Sequence, residues 1–306
     1  MHELDAATLN FDRTALTTLN VALAVIMFGV ALGIRGDDFR RVAKVPRAML
    51  MGLGTQFVVL PALTFALIQA VRPEPSVALG MLLVAACPGG NISNFFTHLA
   101  RGNAALSVSM SAVSTLAAVV MTPFNLAFWG GLDADTAAIL HSVDVEPLAL
   151  VAVIALILAL PLALGMGFVR LAPAVAERLR QPFQWASMAF FLLFVLGALA
   201  ANFELFLTHV GAIAALVFLH NGLALASGFV LSSAGGLADY ERRAVTIEVG
   251  IQNSGLGLVL IFDFFAGLGG MALITAWWGI WHIVSGATLA LVWRRRAPRL
   301  GVTECG

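Results

Sequence analysis

The chain has 306 residues, of which 60% are hydrophobic and 11% are charged, and its mean hydropathy is +0.95. Soluble domains carry about 25% charged residues, so this composition excludes an ordinary soluble protein and predicts an all-α polytopic membrane protein. The formal net charge is zero. We expect the lipid bilayer to surround the protein, and we expect neither a nucleic-acid partner nor an obligate protein partner.

Nine apolar segments are each close to the ~20 residues that a membrane-spanning helix needs. We number them as spans 1 to 9 and predict nine transmembrane helices. In chain order the spans cover residues 15–34, 48–71, 77–99, 104–129, 148–169, 183–201, 205–231, 244–265 and 271–293. The N-terminus ahead of span 1 has no basic region, so we interpret span 1 as a retained helix and not as a cleaved signal peptide.

The basic residues fall almost entirely on one side of a nine-span arrangement. Of the 17 lysine and arginine residues, only Arg13 and Arg72 fall on the other side, and the loop between spans 4 and 5 is acidic instead. Basic loops remain in the cytoplasm. We therefore predict a multi-pass protein of the cell (inner) membrane with its N-terminus outside and its C-terminus in the cytoplasm. An even number of spans would break this alternation.

Glu248 is the one carboxylate inside a long apolar segment rather than at a segment end. An ionisable group at membrane depth costs about 3 kcal/mol even on lenient scales, so it usually has a partner and a function. Glu248 opens the sequence Glu-Val-Gly-Ile-Gln-Asn-Ser-Gly. The glycines predict a broken helix, in which free backbone carbonyls are able to bind an ion.

Span 3 contains a second interruption, the Pro-Gly-Gly sequence of residues 88–90. Three helix breakers in a row predict that this span is also broken. A shift of 165 residues places Gly90 on Gly255 and Gln56 on Asn221. Two copies of one four-helix pattern would explain this match. The alternative is chance, because Gly and Pro are common in membrane helices.

The shift predicts one transporter domain, residues 1–306, that contains two repeats of opposite topology. The first repeat covers about residues 15–130, the connecting helix about 147–170 and the second repeat about 181–294. Paired, interrupted spans in inverted repeats are typical of secondary transporters and point to a substrate and ion site near the membrane midplane.

Polar oxygen donors are concentrated at the two interruptions and in the spans beside them. Sodium accepts hydroxyl, amide, carbonyl and carboxylate oxygens, and a single glutamate offsets much of the charge of one or two monovalent cations. The candidate donors are Gln56, Asn91, Ser93, Asn94, Ser107, Ser111, Glu248, Gln252, Asn253 and the carbonyls of Val249 and Ile251.

These polar residues also have structural interpretations. Ser107 and Ser111 are four residues apart and so share one helix face, where small residues also serve helix packing. Gln56 and Asn221 are equally consistent with hydrogen bonds between helices. Glu248 as a neutral acid would carry a proton instead of binding a cation.

Two histidines lie inside spans, His220 in span 7 and His282 in span 9. A single buried histidine is more often a core residue than a ligand. His282 follows a tryptophan-rich segment, and span 9 is the repeat partner of span 4, which favours a place for His282 in the substrate cavity. The sequence assigns no role to His220.

The two interrupted segments resemble the signatures of a known family. The sequence Cys-Pro-Gly-Gly-Asn-Ile-Ser-Asn of residues 87–94 and the sequence Thr-Ile-Glu-Val-Gly-Ile-Gln-Asn-Ser-Gly of residues 246–255 are similar to those of the bile acid:sodium symporter family. The similarity extends over about residues 20–290. It implies an inverted-repeat transporter with two broken crossing helices in a core domain and a smaller panel domain.

The resemblance also implies two sodium sites and a substrate cavity. One sodium site would use Ser93, Asn94, Ser107, Ser111 and Glu248. The other would use Gln56, Glu248, Gln252 and the carbonyls of Val249 and Ile251. The positions that match cavity-facing residues of the family are Asn91, Asn253 and His282.

The chain departs from the family pattern in two respects. Bacterial relatives often carry ten helices, whereas nine spans resemble the animal members and imply a smaller panel domain. Ser111 stands where many relatives have threonine, which keeps the hydroxyl oxygen.

The function that the resemblance implies is a sodium-coupled symporter, and not an enzyme. It would import an organic anion, such as a bile acid-like molecule, a steroid sulfate or a small carboxylate, by alternating access. One alternative is a proton-coupled or arsenite-type carrier of the same superfamily, with Cys87 as the candidate thiolate. A remote alternative is an intramembrane hydrolase, but the sequence contains no Gly-x-Ser-x-Gly or His-Glu-x-x-His motif.

Overall fold

The computed structural model describes residues 3–6, 13–34, 46–143, 147–201 and 203–298. Every secondary-structure element in these ranges is a helix, which confirms the all-α prediction. In chain order they are α1 (Glu3–Ala6), α2 (Arg13–Ala31), α3 (Pro46–Gly54, Thr55–Val59 and Leu60–Val71), α4 (Pro75–Ala86), α5 (Ile92–Leu99), α6 (Ala104–Gly131), α7 (Ala134–Ser142), α8 (Pro147–Ile154, Ala155–Ala159 and Leu160–Leu171), α9 (Pro173–Ala201), α10 (Phe203–Ala234), α11 (Asp239–Gly250), α12 (Ser254–Phe264) and α13 (Gly269–Arg294).

Helices α3 and α8 each contain a π-helical turn, Thr55–Val59 and Ala155–Ala159. Each turn directly precedes a proline near the start of the next α-helical segment, Pro61 or Pro161. Proline has no N–H and its ring collides with the carbonyl one turn earlier. The widened turn accommodates the proline without ending the helix.

Five of the described helices are long and apolar enough to cross a membrane: Pro46–Val71, Ala104–Gly131, Leu148–Leu171, Gly211–Ala234 and Gly269–Arg294. They correspond to predicted spans 2, 4, 5, 7 and 9. Shorter apolar helices lie in spans 1, 3 and 8. These findings make the protein a helical, multi-pass membrane protein, and the total of nine spans stays a prediction.

The two predicted helix breaks are confirmed. Span 3 consists of the half-helices α4 and α5, separated by residues 87–91, and span 8 consists of α11 and α12, separated by residues 251–253. The first half-helix of each pair ends where glycine or proline interrupts the regular hydrogen bonding, as P-G-G and Val-Gly-Ile predicted.

Two elements differ from the sequence prediction. Helix α9 begins at Pro173, ten residues before the predicted span 6, because proline suits the first turn of a helix. Arg178 and Arg180, which fall between predicted spans 5 and 6, are therefore helical. Helix α7 was not predicted, and it is capped by Asp133, whose side chain accepts hydrogen bonds from the N–H groups of residues 135 and 136.

The helices pack in two groups. Helices α2, α8 and α9 pack on one another, and we call them the panel group; α3 to α6 and α10 to α13 form the core group. Small residues permit close approach within the panel group. A Cβ on Gly29 of α2 would lie 2.9 Å from Phe183 of α9, and one on Gly165 of α8 would lie 2.8 Å from the carbonyl oxygen of Phe28.

At one end of the core group, Arg243 connects three helices, and we call this end of the group the basic end. The Arg243 guanidinium donates hydrogen bonds to the carbonyl oxygens of Ala100 (2.7 Å), Trp293 (3.1 Å) and Arg296 (3.1 Å) and to the Asp239 carboxylate (2.7 Å). These bonds satisfy carbonyls at the C-terminal ends of α5 and α13 and attach both ends to the N-terminal part of α11.

The opposite end carries acidic residues, and we call it the acidic end. Asp133 pairs with Arg72 at 3.4 Å, and Asp5 accepts a hydrogen bond of 2.8 Å from the backbone N–H of Ser76. The basic and acidic ends thus separate the residues that the charge pattern assigned to opposite sides of the membrane.

Candidate functional site

The two helix breaks meet and pair through their backbones. The Gly90 N–H donates to the Ile251 carbonyl at 2.7 Å, and the Asn253 N–H donates to the Pro88 carbonyl at 2.9 Å. Gly89 and Gln252 form an antiparallel bridge between these bonds. Backbone groups that lose their helical partners are thereby satisfied by each other, as an apolar environment requires. We call this pairing the crossover.

The crossover leaves no room for side chains at its glycines. A Cβ on Gly90 would lie 2.8 Å from the Gln252 carbonyl oxygen, and one on Gly89 would overlap the Glu248 carboxylate. Glycine is required at both positions because the two backbones, and the carboxylate, approach too closely for any larger residue.

Amide side chains satisfy two further carbonyls at the breaks. Gln56 Nε2 donates to the Cys87 carbonyl at 2.8 Å, and Asn221 Nδ2 donates to the Gly250 carbonyl at 2.7 Å. The interpretation of Gln56 and Asn221 as hydrogen-bonding residues between helices is therefore confirmed. For Gln56 this role is compatible with ion binding, because the bond to Cys87 uses its Nε2, and its Oε1, which accepts from Gln252 Nε2 at 3.2 Å, keeps a second lone pair.

Glu248 lies at the centre of a cluster of hydroxyl groups. Ser93 donates to its Oε2 at 2.6 Å, Ser111 donates to its Oε1 at 2.7 Å, and Ser107 donates to its Oε2 at 3.3 Å. The Asn94 Oδ1 accepts from Ser107 at 2.8 Å and from Ser111 at 3.3 Å. The structure thus brings together all five residues of the first predicted sodium site, and we call them the Glu248 cluster.

The second predicted set also lies together, around a pair of glutamines. Gln56 Nε2 donates to Gln252 Oε1 at 2.7 Å, and Gln252 Nε2 donates to the Val249 carbonyl at 2.6 Å. The Ile251 carbonyl lies in the crossover, where it accepts from Gly90. Each carbonyl oxygen has a second lone pair, so these bonds leave one acceptor position on each.

The composition of this oxygen-rich region favours a monovalent cation. It contains one carboxylate, three serine hydroxyls, three side-chain amides and backbone carbonyls. In the described part of the chain, no three His, Cys, Asp or Glu residues are grouped so that they could hold a metal ion. Divalent calcium and transition metals usually take several charged or imidazole ligands, which this region does not offer.

A cavity of about 250 Å³ lies between the crossover and the panel group. The three predicted substrate residues, Asn91, Asn253 and His282, all line it. Its apolar wall consists of Leu23, Ile26, Met27, Val30, Ile34, Ile92, Phe95, Val108, Trp185 and Ile283. A largely apolar cavity with a few convergent polar groups is the usual form of a small-molecule site.

The polar cavity residues have different local roles. Asn253 Oδ1 caps α12 by accepting from the Leu256 N–H at 3.0 Å, whereas the Asn91 side chain makes no capping hydrogen bond to α5. His282 is 4% exposed, and its Nδ1 has no hydrogen-bond partner among the described residues. Asn91 and His282 therefore keep hydrogen-bonding capacity for a ligand.

His220 belongs to the core rather than to the cavity wall. Its Nε2 lies 2.7 Å from the Thr64 hydroxyl, and its ring meets the Trp278 ring edge to face at 4.6 Å between centroids. The interpretation of a hydrogen-bonded core histidine therefore applies to His220.

The sequence analysis missed the cavity residues of α9, namely Arg180, Gln181 and Trp185, and also Phe95 and Ser254. It placed Arg180 between predicted spans 5 and 6 because α9 was expected to begin at residue 183. The proline at residue 173 is the sequence signal that would have predicted the earlier start of α9.

Comparison with known proteins identifies the family. The profile of the sodium bile acid symporter family matches residues 20–209, which is more than half of the chain. The chain belongs to the sodium bile acid symporter family. It is 30% identical over 312 residues to the "Uncharacterized sodium-dependent transporter YocS" of Bacillus subtilis (strain 168), and the alignment covers 96% of this chain and 89% of that protein.

Two eukaryotic members of the symporter family are also similar. The chain is 32% identical over 284 residues to the "Probable sodium/metabolite cotransporter BASS1, chloroplastic" of Arabidopsis thaliana, which covers 91% of this chain and 67% of that protein. It is 29% identical over 241 residues to the human ileal sodium/bile acid cotransporter, which covers 78% of this chain and 67% of that protein. Membership of this family makes the chain a sodium-dependent transporter and not an enzyme.

Proposed function

We propose that the protein imports an organic anion together with two sodium ions by alternating access. The observation that carries this proposal is the Glu248 cluster, in which one buried carboxylate and four neutral oxygen-bearing side chains converge beside the crossover and the cavity. Membership of a sodium-dependent transporter family identifies sodium as the coupling ion.

The first sodium ion would replace hydroxyl protons as the partner of Glu248. The hydrogen bonds that reach this carboxylate come from serines, which are neutral. A buried charge that lacks an opposite charge is strongly disfavoured, so a monovalent cation would stabilise it. Serine hydroxyls would then turn their lone pairs toward the ion.

The second sodium ion would bind on the other side of the broken helix. Its ligands would be Gln56, Glu248, Gln252 and the carbonyls of Val249 and Ile251. Gln56 and Gln252 already face each other at 2.7 Å. Rotation of both side chains would direct two amide oxygens at the ion in place of the two hydrogen bonds between them.

The anionic group of the substrate would lie near Asn91 and Asn253. Both residues stand at the N-termini of half-helices, α5 and α12, that line the cavity. A helix N-terminus favours anions through its free N–H groups and its dipole. Sodium bound at Glu248 would remove the negative charge behind this position, which couples sodium binding to anion binding.

Symmetry at the crossover supports the proposed inverted repeats. Its two backbone hydrogen bonds exchange with each other under a shift of 163 residues. The bond from Gln56 to Cys87 has a similar counterpart in the bond from Asn221 to Gly250, in which the donors are 165 residues apart and the acceptors 163. We therefore propose nine spans in two inverted repeats, with the core group moving relative to the panel group during transport.

The cavity lining and the position of Cys87 distinguish between the candidate functions. The apolar wall and the polar crossover suit bile acid-like molecules, steroid sulfates and small carboxylates with an apolar part. For an arsenite-type carrier the thiol would need access, but Cys87 is fully buried and does not line the cavity. A proton-coupled carrier remains the competing function, because Glu248 is also a possible proton site.

Sodium binding to the purified protein tests the proposal. A ligand at 100 times its dissociation constant stabilises a protein by about 2.7 kcal/mol, so sodium but not potassium should raise the melting temperature. Glu248→Gln should abolish most of this shift and sodium-driven uptake, whereas Glu177→Gln, an exposed carboxylate on α9, should keep both. A sodium shift that survives in Glu248→Gln, or uptake driven by a proton gradient alone, would contradict the proposal.

A further inference from the structure

The polar groups of the cavity lie in two separate places. Asn91 and Asn253 lie in the two helix breaks and His282 lines the cavity from α13, whereas Arg180 lies on α9 in the panel group. Arg180 is the single Lys, Arg, Asp or Glu residue among those that line the described cavity. The wall between the two places is apolar and includes Met27, Val30 and Trp185. The cavity therefore has one uncharged polar region and one cationic region.

Arg180 lies beside the turn that follows α2. A Cβ on Gly33 would be 3.5 Å from the Arg180 Nε, so the guanidinium lies close to the turn that follows α2. At its other end, α2 contacts the core through Asn20, whose Nδ2 donates to Asp263 at 3.2 Å. Because α2 runs from the acidic end to Gly33, Arg180 stands on the side of the cavity that faces the basic end.

Arg180 retains hydrogen-bonding capacity. It forms an ion pair with Glu177, one turn earlier on α9, at a distance of 3.9 Å. Both side chains are about half exposed. Exposed pairs of this kind contribute little. A guanidinium has five N–H donors in a planar fork that matches a carboxylate or sulfate with two parallel hydrogen bonds. The residue is therefore suited to bind an anionic group inside the cavity.

We propose that Arg180 binds a second acidic group of the substrate, so that the transported molecule is an amphipathic anion with polar groups at both ends. This inference rests on the proposed function. One acidic group would lie at the crossover near Asn253, the apolar body would contact the Met27 and Trp185 side of the wall, and the other acidic group would pair with Arg180 at the basic end.

Matched pairs of simple ligands test this inference. The probes are straight-chain monocarboxylates and the α,ω-dicarboxylates of equal chain length, titrated into the purified full-length protein at saturating sodium. Charge-assisted hydrogen bonds contribute more than neutral ones, but Arg180 is partly exposed. We therefore expect the best-fitting dicarboxylate to bind about three- to tenfold more tightly than its monocarboxylate.

The variants assign this preference to one residue. Arg180→Gln should reduce the preference to about onefold, because it weakens dicarboxylate binding more than monocarboxylate binding, and Arg180→Lys should keep part of the preference because lysine keeps the charge but lacks the planar fork. The matched control is Arg178→Gln, which removes an equal charge two residues away on α9 from a side chain that does not line the cavity. It should retain the full preference.

Three results would overturn the inference. They are a parent protein that shows no preference for any dicarboxylate, an Arg180→Gln variant that keeps the preference, and an Arg178→Gln variant that loses it equally. If monocarboxylates still bind in a sodium-dependent and Asn253-dependent manner, the proposed function stands and only the role of Arg180 fails. If no carboxylate of either kind binds, the organic-anion function fails as well.

Discussion

Gly89, in the break between α4 and α5, and Glu248, on α11, occupy positions that depend on each other. A Cβ on Gly89 would lie 2.8 Å from the Glu248 Cδ and would overlap its Oε1. The carboxylate thus packs directly against the backbone of the first helix break. A side chain at residue 89 has to displace the acidic group that we assign to sodium.

Gly89→Ala should therefore impair sodium binding although it changes no proposed ligand. Real Cβ atoms do not tolerate such an overlap, so the Glu248 carboxylate must move away from the serine hydroxyls. We expect the sodium-induced rise in melting temperature to be largely lost. The control is Gly167→Ala on α8, where a Cβ would meet no atom within 4 Å. A normal sodium response in Gly89→Ala would show that the carboxylate position does not matter for the ion.

Ser111→Ala should weaken sodium binding more mildly. The variant removes one neutral oxygen and the 2.7 Å hydrogen bond to Glu248 Oε1, and a bond to a charged group contributes about 1.5–3 kcal/mol. We expect sodium affinity to fall about tenfold or more in a titration followed by melting temperature. Ser109→Ala is the matched control, since Ser109 is equally buried on α6 and its hydroxyl has no partner among the described residues. Equal effects of both variants would assign Ser111 to helix packing.

Asn253→Ala should weaken substrate binding at saturating sodium by about 1–2 kcal/mol, because one hydrogen bond to a charged group is lost. The Asn253 oxygen also caps α12, so the same variant should lose about 1 kcal/mol of stability. Asn253→Ser separates the two roles, since serine keeps the cap but not the amide donor. We expect it to lose substrate affinity while it keeps its melting temperature. Loss of sodium binding with intact substrate affinity would mean that Asn253 serves the ion instead.

The proposed topology predicts opposite sidedness for two reporters. A fusion at residue 140 in α7, beside the acidic end, should report the outside, and a fusion after α13 should report the cytoplasm. The reason is that Arg243 and the arginines that follow α13 lie at the basic end, and basic segments remain inside. Finding both reporters on the same side would exclude nine spans.

Asp239 should stabilise the basic end only while it is ionised. Partial burial alone would raise its pKa, but hydrogen bonds and positive charge from Arg242 and Arg243 outweigh burial and hold the pKa below its ordinary value. A lowered folded-state pKa gives stability that is present above the unfolded value of about 3.9 and is lost as the pH falls through the folded value. The parent should therefore melt above Asp239→Asn at neutral pH, and the gap should close below about pH 4. A gap that is constant with pH would contradict this role.

Local rules were sufficient for much of the fold. The apolar segments predicted the long helices, and the Pro-Gly-Gly and Val-Gly-Ile sequences predicted both helix breaks, because a missing N–H or a flexible backbone acts on its own helix. The start of α9 and the existence of α7 were not predicted, since hydropathy does not register a proline at the first turn or a short capped helix outside the membrane-type segments.

For the site too, the sequence predicted some features and only the tertiary structure decided others. The sequence by itself determined that this is a membrane transporter of a recognisable family. It also identified the oxygen-bearing side chains inside apolar segments, whose burial costs free energy and therefore indicates a function. The tertiary structure alone decided which of them meet. Ser111 and Glu248 are 137 residues apart in sequence and bonded at 2.7 Å, and Arg180 lines the cavity where α9 packs against α2 and the turn that follows it. Such contacts depend on how helices rotate and approach one another, which packing between distant segments sets and local sequence does not.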